Sequence, residues 1–175
     1  MEVCGNVNTL LKTIDSVNEW MGQAVKWLVI VAAGITCFEV AQRYIFNRPT
    51  MQGYELPIMI AGAMYCLSWG YVHKHKGHVR VDVFYGRFSD RTKAIFDTVL
   101  FLVLFMPVIG FLIFQSWNWM VRAWRIGEKS VFTYWYPPIA PLRTFIFIGI
   151  ALFLLQGLAQ FFRDVYFAVK GERYD

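Results

Sequence analysis

Three stretches of this chain contain no Asp, Glu, Lys or Arg: residues 56–72, 98–121 and 144–162, with 17, 24 and 19 residues. An α-helix rises ~1.5 Å per residue, so about 20 residues cross a hydrocarbon core of ~30 Å. Each stretch therefore reads as a membrane span. A fourth, residues 27–46, is uncharged as far as Phe38 and then carries Glu39 and Arg43. Backbone polar groups in lipid must be bonded within their own segment unless a barrel closes, and the period-two alternation of a membrane barrel is absent. The expectation is an all-α integral membrane protein. Residues 1–175 form one membrane domain, with spans near 27–46, 56–72, 95–121 and 142–163.

Composition agrees. The chain is 57% apolar and 17% charged, against about 45–50% and about 25% in soluble domains. An ordinary soluble domain and a disordered chain are both excluded. Cys4, Cys37 and Cys66 have no CxxC spacing and make no disulfide framework.

The net charge of +5 is a matter of placement. Lys and Arg concentrate on the cytoplasmic side of membrane proteins. With both termini inside, eleven basic residues fall on the inner side and six on the outer. The loop after the second span dominates, with Lys74, Lys76, Arg80, Arg87, Arg91 and Lys93. Both termini and that loop are expected in the cytoplasm. Positive charges that flank spans do not form the basic face of a nucleic-acid binder.

Residues 1–25 carry Val7, Leu10, Leu11, Ile14, Val17, Met21, Ala24 and Val25 at spacings of three and four, with Lys12, Asp15, Asn18 and Glu19 opposite. This predicts an amphipathic helix lying in the membrane interface and leading into the first span, in contact with lipid. A helix packed on the protein is the alternative. Val79, Val81, Val83, Phe84, Tyr85 and Phe88, interleaved with Arg80, Asp82 and Arg87, predict a second, short interfacial segment between spans two and three. Ser89 or Asp90 caps the third helix, and Pro107 is placed to kink it. Pro137, Pro138 and Pro141 suit the entry to the fourth.

Few residues inside the spans carry chemistry. Glu39 is followed four residues later by Arg43, the favourable order for a helical ion pair. A structural or intersubunit pair is the first reading, and a proton or cation site the second. Glu55 places negative charge in the first turn of the second helix. His73, His75 and His78 fall within six residues, interleaved with lysines, and read as a solvated turn facing headgroups. They are not read as a haem or metal site. No nucleophile triad, HExxH, P-loop or nucleotide fingerprint occurs. No cofactor and no metal are expected, and an enzyme is not.

Gly62, Cys66 and Gly70 recur every four residues, and Gly149 and Gly157 share a stripe. Such stripes let helices approach closely in lipid. Gln156, Gln160, Gln115, Ser116 and Asn118 are too few and scattered to line an aqueous pathway. The residues alone thus describe an accessory or scaffold membrane subunit. Aromatic residues gather at the predicted boundaries, most densely around the third loop. That density exceeds what anchoring needs and fits a partner interface.

Read together, these residues resemble a known family. Arg43-Tyr44-Ile45-Phe46-Asn47-Arg48-Pro49 closes the first span, Tyr54-Glu55-Leu56 opens the second, and Lys76-Gly77-His78-Val79-Arg80-Val81-Asp82 follows it. In order and spacing this is similar to the small membrane subunit, DctQ type, of tripartite ATP-independent periplasmic (TRAP) transporters. Gln52-Gly53 stands where many members carry an aromatic residue, and Leu56-Pro57 where a second acid often follows.

The resemblance implies a bacterial inner-membrane protein that partners a large DctM-type subunit holding the substrate and sodium sites. It also implies a periplasmic binding protein that delivers an organic acid, with a sodium gradient as the energy source. Under it, Arg43, Asn47 and Glu55 organise the outer turn, with Arg43 paired to Glu39 or Glu55. Gly77 permits a tight turn or a positive φ, and Asp82 holds the cytoplasmic segment. Arg122, Trp124, Arg125 and Trp135 contact the binding protein. Two other classes compete. A haem-bearing or quinone-linked anchor of a respiratory enzyme would need an intramembrane histidine. A small proton-coupled antiporter would use Glu39.

Overall fold

In the computed structural model, residues 2–75, 77 and 90–171 are described, with side chains for all of them except 2–7, 90 and 91. Among these residues the regular structure is helical, apart from one isolated bridge between Lys129 and Pro138. The helices are α1 (Glu2–Tyr44), α2 (Gln52–Lys74), α3 (Asp90–Leu100), α4 (Met106–Ile126) and α5 (Ala140–Lys170). A π-helical turn, Phe101–Phe105, joins α3 to α4 without a break. From Asn8 onward α1, the continuous run Thr92–Ile126 and α5 are each long and apolar enough to cross a membrane; α2 is not among them. The short segment expected around residues 79–88 and the candidate Asp82 lie outside the described residues.

Helix α1 differs from the expectation of two pieces. It runs unbroken for 43 residues, about 65 Å at the usual rise. No proline interrupts it, and Gly22, against the ring of Tyr71, weakens it without stopping it. Its first half also docks through a mixed face, on which Leu11 and Asn18 are both buried. Asp15 and Asn18 turn toward α5, and Glu19 toward the end of α2. Leu10, Val17 and Trp20 remain exposed. The physical reason is partner supply, because Gln156, Arg163 and Lys74 offer hydrogen bonds that an apolar face could not use.

Helix α5 is central and touches every other helix. Close approach to α2 depends on small residues: a Cβ at Gly149 would lie 2.5 Å from the Cys66 carbonyl oxygen. Gly62 faces Leu142 and Gly70 faces Asn18, so the stripe on α2 is divided between two neighbours.

Pro107 explains the π turn. It has no N–H to give the carbonyl four residues back, and its ring crowds that carbonyl. The helix widens there, and the Met106 N–H reaches back to the Phe101 carbonyl. The widened turn presents Phe101 and Phe105, stacked at 4.7 Å, toward Phe161 at 4.7 Å and Phe153 at 5.0 Å.

Candidate functional site

The turn from α1 to α2 and the loop of residues 127–139 meet at one end of the bundle. Glu39 lies beneath the turn, only 6% exposed. Its two oxygens accept the Thr50 backbone N–H at 3.2 Å, and the Thr50 hydroxyl donates to Oε2. The guanidinium of Arg43 stands 3.4 Å from Oε1 and is half exposed. The expected ion pair is therefore the weaker part of the arrangement. A backbone amide and a hydroxyl are the main donors, and both come from a residue that sequence reading passed over. Gly53 completes the site: its N–H reaches Thr50 Oγ1 at 3.3 Å, and a Cβ there would strike the carboxylate. Asn47 adopts φ +53°, a conformation that Asn tolerates better than most residues. It turns the chain after α1 through its backbone.

Glu55 takes no part in that cluster. It is 4% exposed, and its Oε2 accepts the hydroxyl of Thr133, from the loop 127–139. Its Oε1 is buried with no hydrogen-bond partner. Of the two acids expected as partners for Arg43, the structure selects Glu39.

The loop itself is braced. Gly127 ends α4 at φ +60°, as glycine commonly does. Ser130 N–H donates to the Pro137 carbonyl at 2.8 Å, and Ile139 N–H to that of Glu128 at 3.0 Å. Arg143 grips both oxygens of Glu128, at 2.6 and 2.7 Å, in the forked geometry that gives Arg–carboxylate pairs their specificity. The bracing holds Val131, Phe132 and Tyr134 outward, each more than 80% exposed. Of the four residues expected at a partner interface, Arg122, Trp124 and Arg125 are exposed and Trp135 is half-buried. The indole N–H of Trp124 is held by Thr144 Oγ1 at 3.0 Å. The pairings of Thr133 with Glu55 and of Glu128 with Arg143 leave no spacing signal in the sequence.

The opposite end holds a second polar cluster. Asn18 Nδ2 donates to Gln156 Oε1 at 2.9 Å, and Gln156 Nε2 to Asp15 Oδ1 at 2.9 Å. Arg163 pairs with Asp15 at 2.6 Å. Asn18 and Gln156 are almost fully buried. Lys74 and His75 both reach Glu19, at 2.7 and 2.9 Å. Amides at Gln156 and Gln160 in an apolar run were the signal for Gln156; its partners in α1 were not deducible from it.

Gly77 forms a tight turn, its N–H on the Val72 carbonyl at 2.9 Å. One expectation is corrected here. The ring of His73 faces neither water nor headgroups alone, since it lies 5.4 Å from Phe153 and 6.0 Å from Phe105. No group of three or more His, Cys, Asp or Glu residues that could hold a metal occurs among the described residues.

Both clusters tie helices together. Neither places a nucleophile beside a base. Neither the curated proteins nor the solved structures yield a match to the chain. The family model for the DctQ component of tripartite ATP-independent periplasmic transporters matches residues 32–166. That match begins in the membrane-spanning part of α1 and runs almost to the end of α5, covering most of the chain. The protein belongs to the DctQ family, and is an integral membrane component of a TRAP transporter rather than an enzyme.

Proposed function

We propose that this chain is the static small subunit of a sodium-coupled importer of an organic acid. It crosses the bacterial inner membrane four times, α2 included, with both termini and the loop after α2 in the cytoplasm. A large DctM-type subunit carries the substrate and sodium sites, and a periplasmic binding protein delivers the substrate. The observation that carries this reading is where the buried polar groups go. Glu39, Glu55, Asn18 and Gln156 are each engaged in fastening one element to another. A transport site needs polar groups that exchange partners with a substrate, and fixed fastenings suit a scaffold.

Support for the orientation is the excess of basic residues on the side of the termini. Docking of the binding protein is assigned to the braced loop and its flank. Arg122, Trp124 and Arg125 are exposed there, Trp135 stands beside them, and Phe132 and Tyr134 project from the tip. Exposed aromatics and arginines on a rigid frame are the usual anchors of protein interfaces.

Reconstitution in liposomes tests the reading. Uptake of an organic acid is expected only when this chain, the large subunit, the binding protein and an inward sodium gradient are all present. Transport by this chain alone, or a Soret band in the purified protein, would reject it.

A further inference from the structure

The outward face of α4 becomes polar partway along a membrane span. Val108, Phe111, Gln115, Asn118, Arg122 and Arg125 recur at alternating spacings of three and four, so they form one seam along the helix. The opposite face is the one that packs, through Ile109, Ser116 and Ala123. On the seam Gln115 is half-buried and the other five are exposed.

Gln115 and Asn118 differ from other polar residues of the spans. Hydroxyls there are satisfied by their own helices: Thr36 donates to the Ala32 carbonyl at 2.9 Å, Ser68 to that of Tyr65 at 2.9 Å and Thr98 to that of Ala94 at 2.7 Å. Ser116, between the two amides, bonds the Ile113 carbonyl at 3.0 Å. The carboxamides of Gln115 and Asn118 have no hydrogen-bond partner among the described residues. Hydrocarbon offers them none, and a polar group left so is costly.

Three properties select the occupant. The first is depth. A headgroup can meet Arg122 and Arg125 near the end of α4, but Gln115 lies ten residues below Arg125, about 15 Å, half of a ~30 Å core. The second is charge. Copies of this chain in one membrane share an orientation, so packing this face on itself would set Arg122 and Arg125 against their equivalents, and like charges repel. The third is spacing. A seam of this period suits a second helix at a shallow crossing, where a polar residue fixes the register.

We propose that the Phe111–Asn118 part of this face packs against a transmembrane helix of the large multi-span subunit, which presents polar groups to Gln115 and Asn118 at the same depth. The inference rests on the reading of this chain as the small subunit of such a transporter. It adds which face meets the partner, and it leaves Arg122 and Arg125, nearer the helix end, to the docking protein.

A photo-crosslinker replacing Asn118, in the complex in its own membranes, tests the proposal. Capture of the large subunit is the expected result. Capture of lipid alone, or of a second copy of this chain, while the large subunit still co-purifies, would overturn the inference and leave the underlying reading standing. Absence of the large subunit from the purified material would reject that reading and the inference with it. Gln115→Leu with Asn118→Leu should lower recovery of the large subunit in detergent about tenfold, the effect of losing two hydrogen bonds between helices. The melting temperature of the isolated chain should be no lower, because leucine suits a lipid-facing position. Undiminished recovery with the folded double variant would also overturn the proposal.

Discussion

Replacing Thr133 by Val removes the hydroxyl that reaches the Glu55 carboxylate. The other oxygen of that carboxylate is already without a partner, so the substitution leaves a buried acid unsatisfied. The cost is about 1–3 kcal/mol, read as a lower melting temperature in detergent. Glu55→Gln combined with Thr133→Val should recover part of the loss, because the charge is then gone. A Thr133→Val protein as stable as the original would show that the contact contributes nothing. At this scale the sequence was informative about which residues matter and silent about what they touch. Glu39 and Glu55 stood out as acids at the edges of apolar runs. Arg43 was the visible partner because helical periodicity is local. Thr50 and Thr133 were invisible because their contacts depend on how a turn and a loop fold back, and no spacing rule encodes that.

Helices are the scale at which sequence and structure agree best. Helices α2, α4 and α5 follow the charge-free runs, and Pro107 and Pro141 fall at a π turn and a helix start. The first helix is the exception. Its amphipathic pattern was legible, but the side that docks was not. Which face is buried depends on whether a neighbour offers polar partners, and those partners lie more than 130 residues away in α5.

Two substitutions test the packing between elements. Gln156→Leu removes one hydrogen bond each from Asn18 and Asp15 and should cost about 1–2 kcal/mol. Faster amide hydrogen exchange confined to the first half of α1 would report it, and unchanged exchange there would argue that α1 is held by other contacts. Gly149→Ala forces a methyl group against the Cys66 carbonyl, 2.5 Å away, and α2 must move. Overpacking of this kind costs about 1–3 kcal/mol. A melting temperature equal to or above that of the original protein would contradict the close α2–α5 contact.

As a whole, the molecule is a helical frame with its polar fastenings at two ends and apolar side chains over much of its outer surface. On the proposed reading, such a frame transports nothing by itself and gains function from what it holds. At the loop end, Arg125→Glu should lower binding-protein-dependent uptake about tenfold by placing a like or unpaired charge in the interface, without changing assembly. Unaltered uptake would remove Arg125 from the docking surface.

The central claim concerns partnership in the membrane, and affinity purification of the tagged chain from its own membranes tests it most directly. The account predicts that a much larger multi-span membrane subunit is recovered with it in fixed ratio. A stable homo-oligomer that catalyses uptake without any such partner would contradict it.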